Sequence, residues 1–145
     1  MPLLSDRLTS DTREGRVIQH INPSNLLKNP AFSQVVVVEA QKLAFISGQV
    51  AMDKHGKVVS EVFADQFSCV LDHLALALDD VGSSWEKIVQ LRIYVKQLKA
   101  EHRLLIQVAL QEIWGSSNPP ASTLVGVEQL ARCDLKVEIE AIAVV

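Results

Sequence analysis

Two glutamates near the end of the chain, Glu138 and Glu140, are the strongest candidates for acid–base chemistry in this sequence. They alternate with apolar residues, so a strand would place both carboxylates on one face, about 7 Å apart. Carboxylates at that distance can raise the pKa of one partner, and the protonated group can then transfer a proton or orient a water molecule. On spacing alone the alternative stays open that both are solvated or ion-paired surface groups.

The other reactive residue types form no recognisable catalytic or metal-binding pattern. Ser47 precedes Gly48, but no histidine and acid accompany it in a triad arrangement, so a hydrogen-bonding hydroxyl or a backbone turn is favoured. Cys69 and Cys133 form no Cys-x-x-Cys pair and are typical of thiols in a reducing compartment. The histidines lack the spacing of metal ligands, and the sequence predicts neither a metal nor a cofactor.

Length and composition indicate one globular domain. The chain has 145 residues, of which 48% are hydrophobic and 21% are charged, a balance that excludes wholesale disorder. With 14 basic and 17 acidic residues the net charge is −3 and basic runs are absent, so a nucleic-acid-binding surface is not indicated. The longest apolar run, Val35–Val38, is too short for a bilayer span, and we expect a cytoplasmic protein without membrane contact.

The elements that position these residues can be predicted from periodicity. Residues 1–15 are charged and show little apolar periodicity, which predicts a flexible leader outside a domain of residues 16–145. Alternating or β-branched runs predict strands at Val17–Ile21, Gln34–Ala40, Leu43–Gln49, Val89–Lys96, Ser122–Val127 and Lys136–Val145. The second and third strands are expected to pair as a hairpin, which the turn at Asp53–Gly56 extends into a meander.

Two stretches have the apolar spacing of amphipathic helices, Phe63–Val81 and Lys99–Trp114, and a glycine follows each. The inner face of the second helix is expected to carry Leu105, Val108, Ala109 and Ile113. The order of elements predicts an α+β fold in which a single mixed sheet carries both helices on one face. Apolar Ile142 and Val144 on the other face predict that self-association covers it.

Several segments match a known family in order and spacing. They are Asn29–Gln34, Phe45–Val50 with Gly56 after it, Pro120–Thr123 and Val137–Ala143. The most specific parts are Ser-Gly-Gln after a strand and the terminal Val-Glu-Ile-Glu-Ala. On these motifs the chain, over residues 16–145, resembles the YjgF/RidA family, which is also called the endoribonuclease L-PSP family.

This resemblance implies a fold like that of the monofunctional chorismate mutases, assembled as a homotrimer with three clefts between subunits. In the well-known branch of the family these clefts hydrolyse reactive enamines and imines to ketoacids and ammonia. There an arginine holds the substrate carboxylate and a glutamate positions the attacking water. The resemblance implies that the catalytic glutamate here is Glu138 and that the substrate contacts come from Phe32, Ser47, Gly48, Gln107, Ala121 and Thr123.

The arginine is where this chain departs from the family pattern. The deaminating branch reads Pro-Ala-Arg-Ser, whereas this chain reads Pro-Pro-Ala-Ser at 119–122, so Ala121 or a gap takes the arginine's place. Truncating a desolvated guanidinium–carboxylate contact costs about 2 to 5 kcal/mol, which argues against a carboxylate ligand. Arg92 and Arg132 are the candidates for a compensating cation, against the alternative that each is a solvated surface charge.

Three functions therefore stay open. The first is a hydrolase of small compounds with a C=N bond, acting through Glu138. The second is a trimer that binds an uncharged or weakly acidic metabolite without turnover, which the missing arginine favours. RNA cleavage follows only from the family's second name, and a net charge of −3 opposes it.

Overall fold

The structure is a computed structural model that describes residues 10–13, 16–39 and 42–145. Its elements are β1 (Ser10–Arg13), β2 (Arg16–Ile21), β3 (Val35–Glu39), β4 (Leu43–Val50), α1 (Phe63–Asp80), a 3₁₀ turn (Trp85–Lys87), β5 (Ile88–Lys96), α2 (Ala100–Trp114), β6 (Ala121–Val127) and β7 (Val137–Val144). The strands and helices predicted above are confirmed, each within about one residue of its expected ends.

Both helices pack on one face of a mixed sheet, which confirms the predicted fold class. The strand order is β4-β7-β5-β6; β5 and β6 run parallel and the other neighbours run antiparallel. Parallel neighbours need a crossover, and α2 supplies it between β5 and β6. Neither helix in the described part of the chain is long and apolar enough to cross a bilayer.

The core lies between this sheet and the helices. Alternate residues of β5 and β7 face the helices and are buried: Leu91, Ile93, Val95, Val137, Ile139, Ala141 and Ala143. The α1 stripe packs against them through Phe67, Val70, Leu74 and Leu78, as its spacing predicts.

The inner face of α2 differs from the predicted one by one residue. Ile106, Leu110 and Trp114 are its buried residues, whereas Val108 is 47% exposed. The predicted Leu105, Ala109 and Ile113 are only partly buried beside this stripe. Because α2 carries apolar residues around most of its circumference, its sequence supports two adjacent stripes, and only packing decides between them.

The N-terminal strands form a second sheet, antiparallel, in the order β1-β2-β3. The predicted hairpin between Gln34–Ala40 and Leu43–Gln49 is therefore wrong, because β3 pairs with β2 while β4 pairs with β7. Both strands alternate in burial, and alternation alone does not specify a partner. Ser10–Arg13 pair with β2 and so belong to a sheet rather than to a leader, while residues 1–9, 14 and 15 lie outside the described residues.

A polar clamp joins the second sheet to the segment that leads into β6. Ser33 is buried, and its backbone N–H donates to the Pro120 carbonyl at 3.0 Å while its hydroxyl donates to the Pro119 carbonyl at 2.6 Å. His20 Nδ1 lies 3.0 Å from the same Pro119 oxygen and 3.1 Å from the Ser33 hydroxyl. These contacts fix the position of Ala121, which forms a bridge with Ser33.

Two histidines should make the protein less stable below neutral pH. Burial lowers the pKa of both His20 and His102 below the ordinary value of 6.5. His102 Nδ1 accepts the Lys99 backbone N–H at 3.3 Å at the start of α2, a contact that protonation removes. A histidine whose pKa is lower in the folded protein than in the unfolded chain binds fewer protons when folded. The free energy of unfolding is therefore highest above the unfolded pKa of about 6.5, and it decreases as the pH falls below that value.

We expect the urea midpoint to be lower at pH 5.5 than at pH 7.5, with a smaller difference in His102→Gln. Both histidines are neutral at pH 7.5 and at pH 8.5, so a comparison between these two values serves as the control. Equal pH differences in the wild type and in the variant would contradict the role given to His102.

Candidate functional site

The face of the four-stranded sheet that the helices leave uncovered carries a row of polar side chains. Arg92 on β5 is paired in register with Glu140 on β7 and with Thr123 on β6, and Tyr94 is paired with Glu138. Paired residues of adjacent strands share a face, and the buried residues of β5 alternate with Arg92 and Tyr94. The prediction that Glu138 and Glu140 share a face is therefore confirmed.

A β-bulge in β4 brings Ser47 and Gly48 to this row. Ile46 pairs with Ala141 and Gln49 pairs with Ile139, so two residues of β4 lie opposite one residue of β7. A Cβ atom added to Gly48 would overlap the Glu138 carboxylate oxygen and lie 2.6 Å from its Cδ. The Glu138 carboxylate thus occupies the space that a side chain at position 48 would need, and only glycine leaves it free.

Glu138 is partly buried, and its carboxylate has no hydrogen-bond or ion-pair partner among the residues that the structure describes. Burial, and after it the neighbouring charge of Glu140, raises the pKa of Glu138 above its ordinary value. A carboxyl group in this state exchanges a proton with a bound molecule more readily near neutral pH than an exposed one.

Glu140 has the opposite environment. Arg92 Nη1 donates to Glu140 Oε1 at 2.9 Å, and the Tyr94 hydroxyl donates to the same oxygen at 3.1 Å. The hydrogen bond from Arg92 lowers the pKa of Glu140 and keeps it ionised. Two neighbouring carboxylates with pKa values moved apart are the arrangement in which one serves as acid and base while the other stays charged.

An open depression of about 230 Å³ lies beside this cluster. Its lining combines apolar and polar groups: Phe45, Ile46, Ser47, Gln90, Arg92, Glu140, Ala141 and Ile142. It can therefore take a small molecule with an apolar body and one polar end. No group of His, Cys, Asp and Glu side chains suited to a metal ion occurs within residues 10–13, 16–39 and 42–145.

The structure brings together part of the predicted set. Ser47, Gly48, Glu138 and Thr123 lie on the uncovered face. Ala121 lies two residues before Thr123 on β6, and therefore on the same face, where it is paired with Gln90 on β5.

Two members of the predicted set lie elsewhere in the chain. Phe32 directly precedes Ser33, which bridges to Ala121, and so lies at the end of the sheet. Gln107 is on the exposed surface of α2, in the other layer, and does not meet Glu138 within one chain.

Arg92 and Arg132, the two candidates for a compensating cation, lie in different parts of the structure. Arg132 donates to Asp134 Oδ2 at 2.6 Å and to the Gly56 carbonyl at 2.7 Å, so it holds the Asp53–Gly56 turn and does not line the depression. Arg92 does line it, and its half-exposed side chain forms an ion pair with Glu140. The sequence analysis did not identify Tyr94, Gln90 and Phe45 as part of the site. The alternation of residues along β5 and β4 indicates which side chains share a face, but it does not reveal which residues of neighbouring strands are paired.

Comparison with known proteins places this chain in a family. A model of the endoribonuclease L-PSP family matches residues 24–145, which is most of the chain. The chain belongs to the YjgF/RidA family. This confirms the resemblance drawn from the motifs around Ser47, Ala121 and Glu138, and the match includes every element of the four-stranded sheet.

Individual relatives agree with the family assignment. A RutC family protein of Pyrococcus horikoshii is 31% identical over 107 residues, which are 73% of this chain and 82% of the relative. The crystal structure of YyfB from Yersinia pestis, a Rid family protein of unknown function, has a TM-score of 0.83 at 29% identity and covers 91% of this chain and 100% of its own. The crystal structure of a Mycobacterium tuberculosis member of the YjgF/YER057c/UK114 family has a TM-score of 0.58 at 25% identity. The match covers 79% of this chain and 87% of that structure's chain.

Proposed function

We propose that this RidA-family protein is a cytoplasmic hydrolase of small, reactive enamines and imines, with sites in the clefts of a homotrimer. The observation that supports this most is the Glu138 carboxyl group, which is partly buried against Gly48 and has a raised pKa. A depression of a size that admits a small metabolite is lined by Ser47 and Glu140, the neighbours of Gly48 and Glu138, whereas Glu138 itself is not among its lining residues. The family membership supports the same chemistry, which is known for one branch.

In the proposed reaction Glu138 handles the protons. An enamine first takes a proton from solvent on its carbon and becomes an iminium ion, while Glu138 is ionised. As a water oxygen bonds to the iminium carbon, the carboxylate accepts one water proton, which yields a carbinolamine. The carboxylic acid then protonates the nitrogen, the C–N bond breaks, and the carboxylate takes the hydroxyl proton as the carbonyl forms. Ammonia accepts that proton, so water and iminium become a carbonyl compound and ammonium, and Glu138 is again ionised.

The test is the rate of ammonia release from imines generated in solution, compared with the uncatalysed rate. Acceleration by the purified protein supports the hydrolase. The alternative is a trimer that binds a metabolite without turnover, and the alanine at position 121 favours it. Calorimetric binding of a ketoacid or its amide, together with no acceleration on any imine of the panel, would select that alternative and reject the hydrolase.

The homotrimer makes a separate prediction. Phe45 is 74% exposed and Val125 40% exposed on the uncovered sheet face, and an apolar sheet face of this kind is normally covered by another surface. Light scattering should give three times the 16.0 kDa of one chain. Phe45→Glu should shift the protein to monomers because it places a charge in the buried contact.

The matched control for Phe45→Glu is Leu76→Glu. Leu76 is 67% exposed on α1, in the layer that the proposed contact does not use, so this variant should stay trimeric. A monodisperse monomer in the wild type would contradict the proposed assembly.

A further inference from the structure

We propose that Cys69 and His73 on α1 form a second reactive site, in which His73 activates the Cys69 thiol toward small conjugated carbonyl compounds. This site goes beyond the proposed function, because it belongs to the helical layer, whereas Glu138 lies on the uncovered face of the sheet. From the sequence Cys69 is expected to be an ordinary thiol of a reducing compartment. The structure adds a base that contacts the sulfur atom.

Cys69 and His73 lie on the same face of α1. Residues four apart on a helix are neighbours, and Cys69 Sγ lies 3.5 Å from His73 Nε2. Both side chains are partly buried, and Cys69 packs at the edge of the core. The thiol is free, and its partial exposure leaves it within reach of a small molecule.

A backbone carbonyl of the sheet orients the imidazole ring of His73. His73 Nδ1 lies 3.0 Å from the carbonyl oxygen of Val50, the last residue of β4. A carbonyl oxygen can only accept a hydrogen bond, so Nδ1 carries the hydrogen, and in the neutral ring Nε2 presents its lone pair to the thiol. A nucleophile beside a base that is held by a third group is the arrangement of an activated nucleophile. Cys69 therefore differs from a lone cysteine, because the acceptor for its proton is already in place.

The surroundings of Cys69 keep the thiol protonated until it reacts. Burial, and after it the charge of Asp72, raises the pKa of Cys69 above its ordinary value, so a resting thiolate is disfavoured. Loss of the proton must therefore accompany the attack of the sulfur atom. A base positioned on the S–H group contributes to exactly this step, and His73 is that base.

This requirement selects the class of electrophile. As the sulfur bonds to the β-carbon of a conjugated carbonyl compound, the thiol proton passes to His73 Nε2 and the electron pair of the C=C bond moves into an enolate. The imidazolium then returns the proton to the α-carbon. The product is a neutral thioether, so the addition needs no oxidant, releases no leaving group and leaves no charge on the partly buried sulfur atom.

The experiment uses methyl vinyl ketone, a small member of this class, and follows the alkylation of each cysteine by mass spectrometry of its peptide. Cys133 is the internal reference, because it is free and exposed. In the folded wild-type protein Cys69 should react faster than Cys133, although it is the less exposed thiol. In concentrated urea both thiols lose their surroundings, so their rates should become similar. This comparison needs no substitution.

His73→Gln tests the base directly. Glutamine can still donate a hydrogen bond to the Val50 carbonyl but cannot take up a proton. Alkylation of Cys69 should therefore slow by about 10²-fold, the lower end of the usual contribution of a positioned base, while that of Cys133 stays unchanged.

Asp72→Asn is the matched control on the same turn of α1. It removes the charge that opposes ionisation of the thiol but keeps His73, so Cys69 should react at least as fast as in the wild type. Unchanged thermal unfolding of both variants verifies that their folds are intact. A Cys69 rate below that of Cys133 in the folded wild type, or an unchanged Cys69 rate in His73→Gln, would overturn the inference.

The proposed site and the proposed hydrolase can be tested separately. Alkylation is measured on the thiols and does not depend on imine hydrolysis, so a protein without hydrolase activity can still show the fast reaction of Cys69. Cys69→Ser should hydrolyse imines at the wild-type rate, which would support two separate sites. Loss of hydrolysis in this variant would overturn that separation.

Discussion

Glu138→Gln should lower the rate of imine hydrolysis by about 10²- to 10⁴-fold, the usual contribution of a positioned acid–base group. Glutamine keeps the size of the side chain and can still hydrogen-bond to water, but it cannot take or return a proton. The loss should therefore appear in kcat, with little change in KM. Steady-state kinetics of ammonia release measure both quantities.

The stability of the same variant gives a second readout. The pKa of Glu138 is raised on folding, so the wild type loses stability as pH rises through that value. Glu138→Gln removes this loss, and its thermal midpoint at pH 8 should equal or exceed that of the wild type. Glu112→Gln, at an exposed position on α2, is the control and should leave the rate unchanged. Full activity in Glu138→Gln would contradict the proposed mechanism.

Gly48→Ala should inactivate the protein almost as completely as Glu138→Gln, although position 48 contributes no functional group. The added methyl group would occupy the space of the Glu138 carboxylate and lie 2.8 Å from its Cγ, so the acid must move away. Overpacking of this kind also destabilises a protein by about 1 to 3 kcal/mol. Kinetics and urea denaturation of the variant test the two effects.

A double-mutant cycle separates this clash from a general backbone effect. In a Glu138→Ala background the carboxylate is gone, so adding Gly48→Ala should change the free energy of unfolding by less than about 1 kcal/mol. Ser47→Ala provides a neighbouring control on the same bulge for stability alone. Equal destabilisation by Gly48→Ala in both backgrounds would show that the contact with Glu138 is not the reason for glycine.

Much of the fold could be predicted because its periodicities are strong. The alternation in β7 identifies both its buried face and the shared face of Glu138 and Glu140. The α1 periodicity likewise predicts the buried Phe67, Val70, Leu74 and Leu78, although Val81 at the end of the same stripe is 37% exposed. The partners of β3 could not be predicted, because a strand that alternates in burial pairs equally well with several others until tertiary contacts select one.

The candidate site was less accessible to sequence reasoning. The contact between Arg92 and Glu140 joins residues that are 48 apart in the chain, and it depends on the register of β5 against β7. The need for glycine at position 48 arises from a bulge that brings the backbone against a carboxylate, and a motif records the glycine without that reason. Family resemblance located Glu138, and the sequence named Arg92 as a candidate cation, whereas the ion pair of Arg92 with Glu140 is seen only in the structure.

The place of β7 in the sheet has a consequence for biosynthesis. This strand lies in the middle, between β4 and β5, yet it is the last of the four to be translated. Until residue 144 has left the ribosomal tunnel, β7 cannot pair with β4 or with β5. During that time β4 has no neighbouring strand in this sheet, and β5 has only β6. The nascent chain therefore presents unpaired strand edges to other chains. We therefore expect ribosome-bound intermediates that stop before β7 to require chaperones, and released full-length chains to fold without them.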